Sequence, residues 1–379
     1  MERQTELSLI DELLALKAEG SAFLDEAVAH NPVELYTSQA RFTAEQHKLF
    51  RTLPNAVAHM SELAEPGAFL RRDVGGLPAL ITRDKSGSVN AFLNVCRHRG
   101  TRLVDEEAGC KHRFSCPYHA WTYASTGELI AAPHFEDGFP GTDKADLSLI
   151  RLNCEERHGL VWVWQGEVLS LADWFGDLDT EFAGLGLSDM KIAAEDKSLR
   201  RANWKVLVEG GIEAYHFRVA HRHTIGPHFE DNLSSYQLHG AHMRSVLPRT
   251  SMGSLSDETR ETWRLRDHAN ILYTLFPSSQ FLVMQDHIVW ISSAPKSPGE
   301  TLLRLVTLAP TKGPDADGKD DEHWKRNHAI TMTALDEDFV IGESIQESIA
   351  AGANTHMTFG RFEGALDQFN RTVEQFVGS

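Results

Sequence analysis

Two short groups of metal-ligating residues, one in each half of the chain, constrain it more than anything else in the sequence. Cys96-Arg97-His98 is followed, across a gap of 17 residues, by Cys116-Pro117-Tyr118-His119. Each of these loops offers one thiolate and one imidazole. Further on, Glu213-Ala214-Tyr215-His216 is followed after four residues by His221. The fold must bring two distant loops to one point in the first region, and a carboxylate to two histidines in the second.

The pairs C-x-H and C-x2-H suit an iron–sulfur cluster of the Rieske type, in which two imidazoles replace two thiolates on one iron. Neutral ligands leave that cluster less negative, which raises its potential to roughly −150 to +300 mV, against about −400 mV with four cysteines. A Cys2His2 zinc site is the competing reading. Zinc fingers place both cysteines before both histidines, whereas here each loop holds one of each, so Cys96, His98, Cys116 and His119 are assigned to a 2Fe-2S cluster. The neighbouring stretches RHRGTRL and PYHAWTY contain no further cysteine to join the two loops as a disulfide. Arg97, Arg99, Arg102, Lys111 and Arg113 crowd the same region. They form either a solvated surface or a docking patch for an acidic electron donor or subunit.

His216 and His221 suit a non-haem Fe(II) site, in which two histidines and one carboxylate leave positions open for oxygen and substrate. Five residues span about 140° of a regular helix, so both can reach one metal only if the backbone bends between them. The chain has 19 histidines, and chance pairs are therefore common. What strengthens this pair is the run Asn203-Trp204-Lys205, Glu209, Glu213, Tyr215, His216. Asn203 is a candidate to steady the ligands from behind. The carboxylate is sought in LDEDFVIGESIQ, from Leu335 to Gln346. On a helix, Asp338 shares an apolar stripe with Ala334, Leu335, Ile341, Gly342 and Ile345, where an acid is costly unless paired or metal-bound. Asp338 is the chosen ligand, Asp336 the alternative.

A formal charge of −17 with no broad basic stripe argues against nucleic-acid binding. No apolar stretch is long enough to span a membrane, and the acidic MERQTELSLIDELL does not resemble a secretory signal, so a cytoplasmic protein is expected. Cys110 and Cys154 are then expected as buried free thiols. Residues 6–64 read mostly helical, and 68–165 as short β-like runs. A link near 166–180 leads to a region mixing helices (203–221, 323–350, 363–377) with strands (235–247, 271–276, 280–284, 287–294, 301–309). The fold class is α+β, divided as an N-terminal helical segment (1–40) packing on the catalytic domain, an all-β cluster domain (41–165) and a domain for the mononuclear iron (166–379).

Taken together, PGAFL, NVCRHRGTRL, CPYHAWTYASTGEL, NWKVLVEGGIEAYH with His221, EDFVIGESIQ and FGRFEGAL resemble the α subunit of Rieske non-haem iron ring-hydroxylating oxygenases. The resemblance implies an N-terminal Rieske domain, a C-terminal helix-grip domain (an antiparallel sheet with helices around the iron), and a head-to-tail homotrimer. It also implies that Glu213 bridges His119 or His98 of one subunit to His216 of the next, carrying electrons between them. Two departures stand out: Ala120 replaces the usual glycine of Y-H-G-W, and Gly210 replaces the amide of E-N-x-x-[DE].

The resemblance implies reductive oxygen activation, with O2 as co-substrate and electrons from NAD(P)H. No G-x-G-x-x-G follows a strand, so a separate flavin and iron–sulfur reductase, with or without a ferredoxin, must supply them. The reading leans towards monooxygenation (hydroxylation or oxidative demethylation) of a small aromatic or quaternary-amine substrate. The alternatives are a cis-dihydroxylating aromatic dioxygenase and, more remotely, a Rieske electron-transfer protein. Segments 206–218 and 271–292, including Phe217, Phe281, Leu282 and Trp290, are candidate pocket walls. The sequence leaves open the substrate, mono- against dioxygenation, an accompanying β subunit and the preferred nicotinamide.

Overall fold

The period-two alternation of the first half becomes sheet. In the computed structural model, which describes residues 1–378, seven strands pair antiparallel. Their spatial order is Asn55–His59, Leu160–Trp164, Arg151–Arg157, Val89–Leu93, Leu77–Arg83, Ala68–Val74, Ala108–Cys110. Successive side chains leave on opposite faces. Leu70, Ala79, Ile81, Ala91 and Val161 pack on one side. Phe69, Leu80 and Phe92 pack on the other, with Phe114 and Tyr123 from a second, three-stranded sheet of Arg113–Ser115, Thr122–Ala124 and Leu129–Ala131, and with Trp121 just ahead of its middle strand. These elements make up a compact unit, Phe50–Leu171.

Two expectations are corrected here. Within the region read as helical, Asn55–His59 is a strand with all five residues buried, because it pairs with the apolar Leu160–Trp164. All four cysteines are free, but Cys110 is exposed rather than buried, on a strand whose three residues all face solvent. Cys154 is half-buried, and burial pushes its thiol up to about 12, which leaves it an inert packing group.

Met1–Leu49 and Ala172–Ser379 form the other unit. Its seven antiparallel strands follow the order Met190–Arg200, Glu300–Pro310, Ile288–Ser297, Ser279–Val283, Ala269–Leu275, His242–Pro248, Ser235–His239. The 29-residue helix Asp321–Ile349 and the helix Trp204–Gly211 pack on this sheet through Phe339, Leu207, Val289, Ile291 and Leu305. The helix Arg3–Ala18 turns Leu7, Ile10 and Leu13 inward, and Glu6 accepts from Leu265 N at 2.9 Å. Among the described residues, no helix is long and apolar enough to cross a membrane. Residues 41–49, expected with the cluster domain, belong instead to this larger unit. Arg41 pairs with Glu374 at 2.5 Å, and Glu45 takes Lys205 Nζ at 2.5 Å and Trp204 Nε1 at 2.8 Å.

Next to that network, Glu209 is buried and accepts from Tyr36 Oη at 2.7 Å and Asn370 Nδ2 at 2.8 Å. Burial pushes its carboxyl up to about 7, against the opposing pull of the Asn370 and Tyr36 hydrogen bonds. The folded-state pKa is raised, so between about 4.5 and about 7 the unfolded chain releases a proton that the folded chain keeps. Stability therefore falls as pH rises through that window, by at most about 3 kcal/mol. Glu209→Gln keeps the accepting oxygen and removes the ionisation. It is expected to exceed the parent in denaturant stability at pH 8 and to match it at pH 5. An unchanged pH slope in the variant would count against this account.

Candidate functional site

Both cluster loops are tight turns closed by backbone hydrogen bonds. Gly100 N bonds Cys96 O at 2.9 Å, and Ala120 N bonds Cys116 O at 3.0 Å. Ala120 stands at φ 58°, in the left-handed region where a side chain costs roughly 1–2 kcal/mol, which accounts for the glycine usual at this place. The buried Asn94 holds the first loop. Its Nδ2 donates to Val104 O at 2.7 Å, and its Oδ1 accepts from Leu103 N at 3.2 Å and Val104 N at 3.0 Å. Cys96 and Cys116 lie inside, whereas His98 and His119 sit at the rim with their Nδ1 atoms 3.1 Å apart. His98 stacks on Trp121 at 4.8 Å, and Tyr123 Oη lies 3.6 Å from Cys96 Sγ. Two buried free thiols beside two half-buried imidazoles fit a 2Fe-2S cluster, which Cys96, Cys116, His98 and His119 would hold.

In the larger unit, His216, His221 and Asp338 converge, with one ligand-type atom from each lying within 4.8 Å of the others. Asp338 Oδ1 is 3.2 Å from His216 Nε2 and 2.9 Å from His221 Nε2. As expected, the two histidines do not share a regular helix. They flank a single helical turn, Phe217–Ala220, and the helix that begins at Trp204 has already ended at Gly211. His221 ends that turn in a non-helical conformation, φ −95° and ψ 20°, and this departure lets the two rings converge. Asp336 points away and pairs with Arg200 at 2.5 Å.

The far nitrogen of each ring meets a carboxylate: His216 Nδ1 contacts Glu213 Oε1, and His221 Nδ1 lies 2.7 Å from Glu337 Oε2. Glu213 also accepts the backbone N–H groups of Tyr215 and His216, and Glu337 accepts from Thr224 Oγ1 at 2.5 Å. Burial works against a charged His216, but its hydrogen bonds to the Asp338 and Glu213 carboxylates outweigh it and push the imidazole up to about 10. Burial likewise raises the Asp338 carboxyl, and the two histidine hydrogen bonds hold it below its ordinary value. This pocket of ligand atoms stabilises positive charge at its centre, as a divalent iron requires.

His221 and Asp338 open onto a cavity of about 370 Å³. Phe217, Phe229, Leu247, Leu272, Leu282 and Met284 give it apolar walls, and Arg249, Asn270 and Gln280 add polar groups. Of the four expected wall residues, Phe217 and Leu282 line this cavity; Phe281 and Trp290 do not. They pair across adjacent strands and stack at 5.8 Å on the opposite face, where Phe281 meets Phe182. Asn203 is also reassigned. It caps the helix Trp204–Gly211 by accepting from Lys205 N at 3.0 Å, and its Nδ2 donates to Tyr36 O and Pro298 O. Gly211 admits the Gln280 amide, since a Cβ there would stand 3.1 Å from Gln280 Nε2.

Comparison with known proteins agrees with this geometry. The catalytic-domain model of the ring hydroxylating alpha subunit family matches residues 187–379, just over half of the chain, and the Rieske [2Fe-2S] domain model matches residues 54–145. The carnitine monooxygenase oxygenase subunit of Acinetobacter baumannii is 34% identical over 206 residues, 53% of this chain and 54% of that protein. The match thus spans about half the length of that relative. The glycine betaine monooxygenase oxygenase subunit of Chromohalobacter salexigens is 26% identical over 355 residues, 84% of this chain and 79% of its own. A solved structure of a quaternary ammonium Rieske monooxygenase aligns with a TM-score of 0.78 at 27% identity, covering 92% of this chain and 96% of that one. With a Rieske [2Fe-2S] domain ahead of a catalytic domain for mononuclear iron, the chain belongs to the ring hydroxylating alpha subunit family.

Proposed function

We propose that the chain is the terminal oxygenase of a Rieske-type system. It uses O2 and electrons from NAD(P)H, delivered by a flavin and iron–sulfur reductase or a ferredoxin, to hydroxylate or oxidatively demethylate a small organic substrate. The observation that carries this reading is the meeting of His216, His221 and Asp338 at the wall of a largely apolar cavity. Cys96, His98, Cys116 and His119 would hold the cluster. Bound iron supplies a site for oxygen reduction beside the substrate, and the cluster supplies single electrons.

The chain's own residues do the positioning. Glu213 and Glu337 each hold a ring at Nδ1, which turns both Nε2 atoms towards Asp338, where once deprotonated they would hold the iron with it. Phe217, Leu247, Leu272 and Leu282 keep water from the reacting centre. We further propose a cytoplasmic homotrimer in which Glu213 couples His216 to the cluster of the neighbouring subunit. Monooxygenation is favoured because two relatives are named for monooxygenation of quaternary amines. Iron and acid-labile sulfide are expected at about three to two per chain, with a Rieske-type EPR signal after dithionite reduction. Carnitine and glycine betaine, supplied with reductase, NADH and ¹⁸O₂, then test turnover, and one labelled atom in the product identifies monooxygenation. Two irons to two sulfides, unmoved by added Fe(II), would leave only an electron carrier.

A further inference from the structure

Within the cavity of the proposed oxygenase, Arg249 is a cation with no ion-pair partner. Its Nη2 donates to Asn270 Oδ1 at 2.8 Å. Its Nε and Nη1 have no protein acceptor among the described residues, and they are not sealed away from solvent. Asn270 is itself buried, at 5% exposure, and its Nδ2 likewise has no acceptor there. The two nearest acids act only at longer range and are engaged elsewhere. Asp286 pairs with Lys319 at 2.9 Å and His323 at 3.0 Å, and Asp267 accepts from Gln285 at 3.4 Å. Besides Asp338, no acidic side chain lines the cavity. Lining an apolar cavity with donors that water alone meets, this half-buried guanidinium is placed to pair with an anion that enters.

We infer that Arg249 and Asn270 form a carboxylate-binding subsite, so that the substrate class of this pocket is organic monocarboxylates. Arg249 follows the strand His242–Pro248, and Asn270 lies opposite Leu247 on the adjacent strand, so paired backbone fixes the two donors. The guanidinium presents N–H groups in a plane matched to a carboxylate, and the Asn270 amide adds another donor. Leu247, Leu272 and Leu282 then line the body of the substrate in the cavity that His221 and Asp338 also line. The inference rests on the oxygenase reading only for what happens to the bound acid; binding itself is independent of turnover.

The test is calorimetric titration of the anaerobic, iron-loaded protein with two matched pairs: γ-butyrobetaine against its carboxamide, and 3-phenylpropionate against 3-phenylpropionamide. At least one acid is expected to bind about tenfold or more tightly than its amide. Arg249→Met should bring that ratio close to one, and Arg249→Lys should retain part of it, since lysine keeps the charge without the planar fork. Should Arg249→Met fail to fold, Asn270→Ala carries the same test and is expected to weaken the acid alone. The inference is overturned if neither acid binds, if each acid and its amide bind equally, or if the foldable variant keeps the parent's preference. Acid binding by a protein with only two irons would sink the oxygenase reading and keep the subsite. Three irons with ¹⁸O incorporation but no acid preference would do the reverse.

Discussion

Replacing Asp338 with alanine is expected to lower the iron content from about three to about two per chain and to leave the Rieske-type EPR signal unchanged. Asp338 Oδ1 is the group that both histidine Nε2 atoms face, at 3.2 and 2.9 Å. Without it, two neutral imidazoles remain, a set too weak to retain Fe(II) at a site built for three ligands. Turnover should drop by more than the 10–100-fold typical of losing a group behind a metal ligand, to about a thousandth of the parent or less. Folding should survive. The helix Asp321–Ile349 is held elsewhere by Trp324, Phe339 and Ile349, and alanine removes a half-buried carboxylate whose ionised form needs the histidines. Asp336→Ala is the matched control: its carboxylate pairs with Arg200 at a half-exposed site, so iron and activity should be kept. Loss of iron from the Asp336 variant and its retention in the Asp338 variant would reverse the assignment.

The parts of this site that could be read in the sequence are those in which the chemistry is local. C-x-H and C-x2-H each fill one turn, so four ligands appear as two words of text. Asp338 could be picked from Asp336 because helical phase alone puts one on the apolar stripe and the other among mixed neighbours; the structure then pairs Asp336 with Arg200. Glu337 could not be found that way. Its partners His221 and Thr224 lie 116 and 113 residues earlier, and no periodicity connects a helix to a turn that folds against it. Arg249 escaped for a related reason: an arginine at a strand end carries no signal until the sheet shows that nothing answers its charge.

Strand phase explains the opposite kind of error. Phe281 and Leu282 are neighbours in sequence but leave the sheet on opposite faces, so one stretch supplied both a pocket wall and a residue of the aromatic cluster behind it. The strand Met190–Arg200 was missed because it is an edge strand reading MKIAAEDKSLR, with charged residues where alternation would show. Its place is set by pairing with Glu300–Pro310 rather than by its own pattern. The span 203–221 reads as one helix bent only between His216 and His221 because its composition is helical throughout. The break after Gly211 follows from two adjacent glycines and from Glu213, whose carboxylate folds back to accept the N–H groups of Tyr215 and His216.

That fold-back makes Glu213→Gln the most informative change for the proposed path of electrons. Glu213 divides its carboxylate between two tasks, Oε1 on His216 Nδ1 and Oε2 on the N–H groups of Tyr215 and His216. Glutamine retains one accepting oxygen but presents an NH2 group to the other task, and it removes the negative charge that would couple His216 to a neighbouring subunit's cluster. Both metal centres should remain, at about three irons and two sulfides per chain. A dithionite-reduced sample mixed with oxygenated buffer and substrate should then reoxidise about a hundredfold more slowly than the parent, as estimated from the usual effect of groups behind a metal ligand. Glu213→Asp keeps the charge on a side chain one methylene shorter, so it should recover part of the rate. If Glu213→Gln loses a third of its iron, Glu213 acts as a support for His216 and not as a bridge. If it keeps all three irons and reoxidises at the parent's rate, electrons do not pass through this residue.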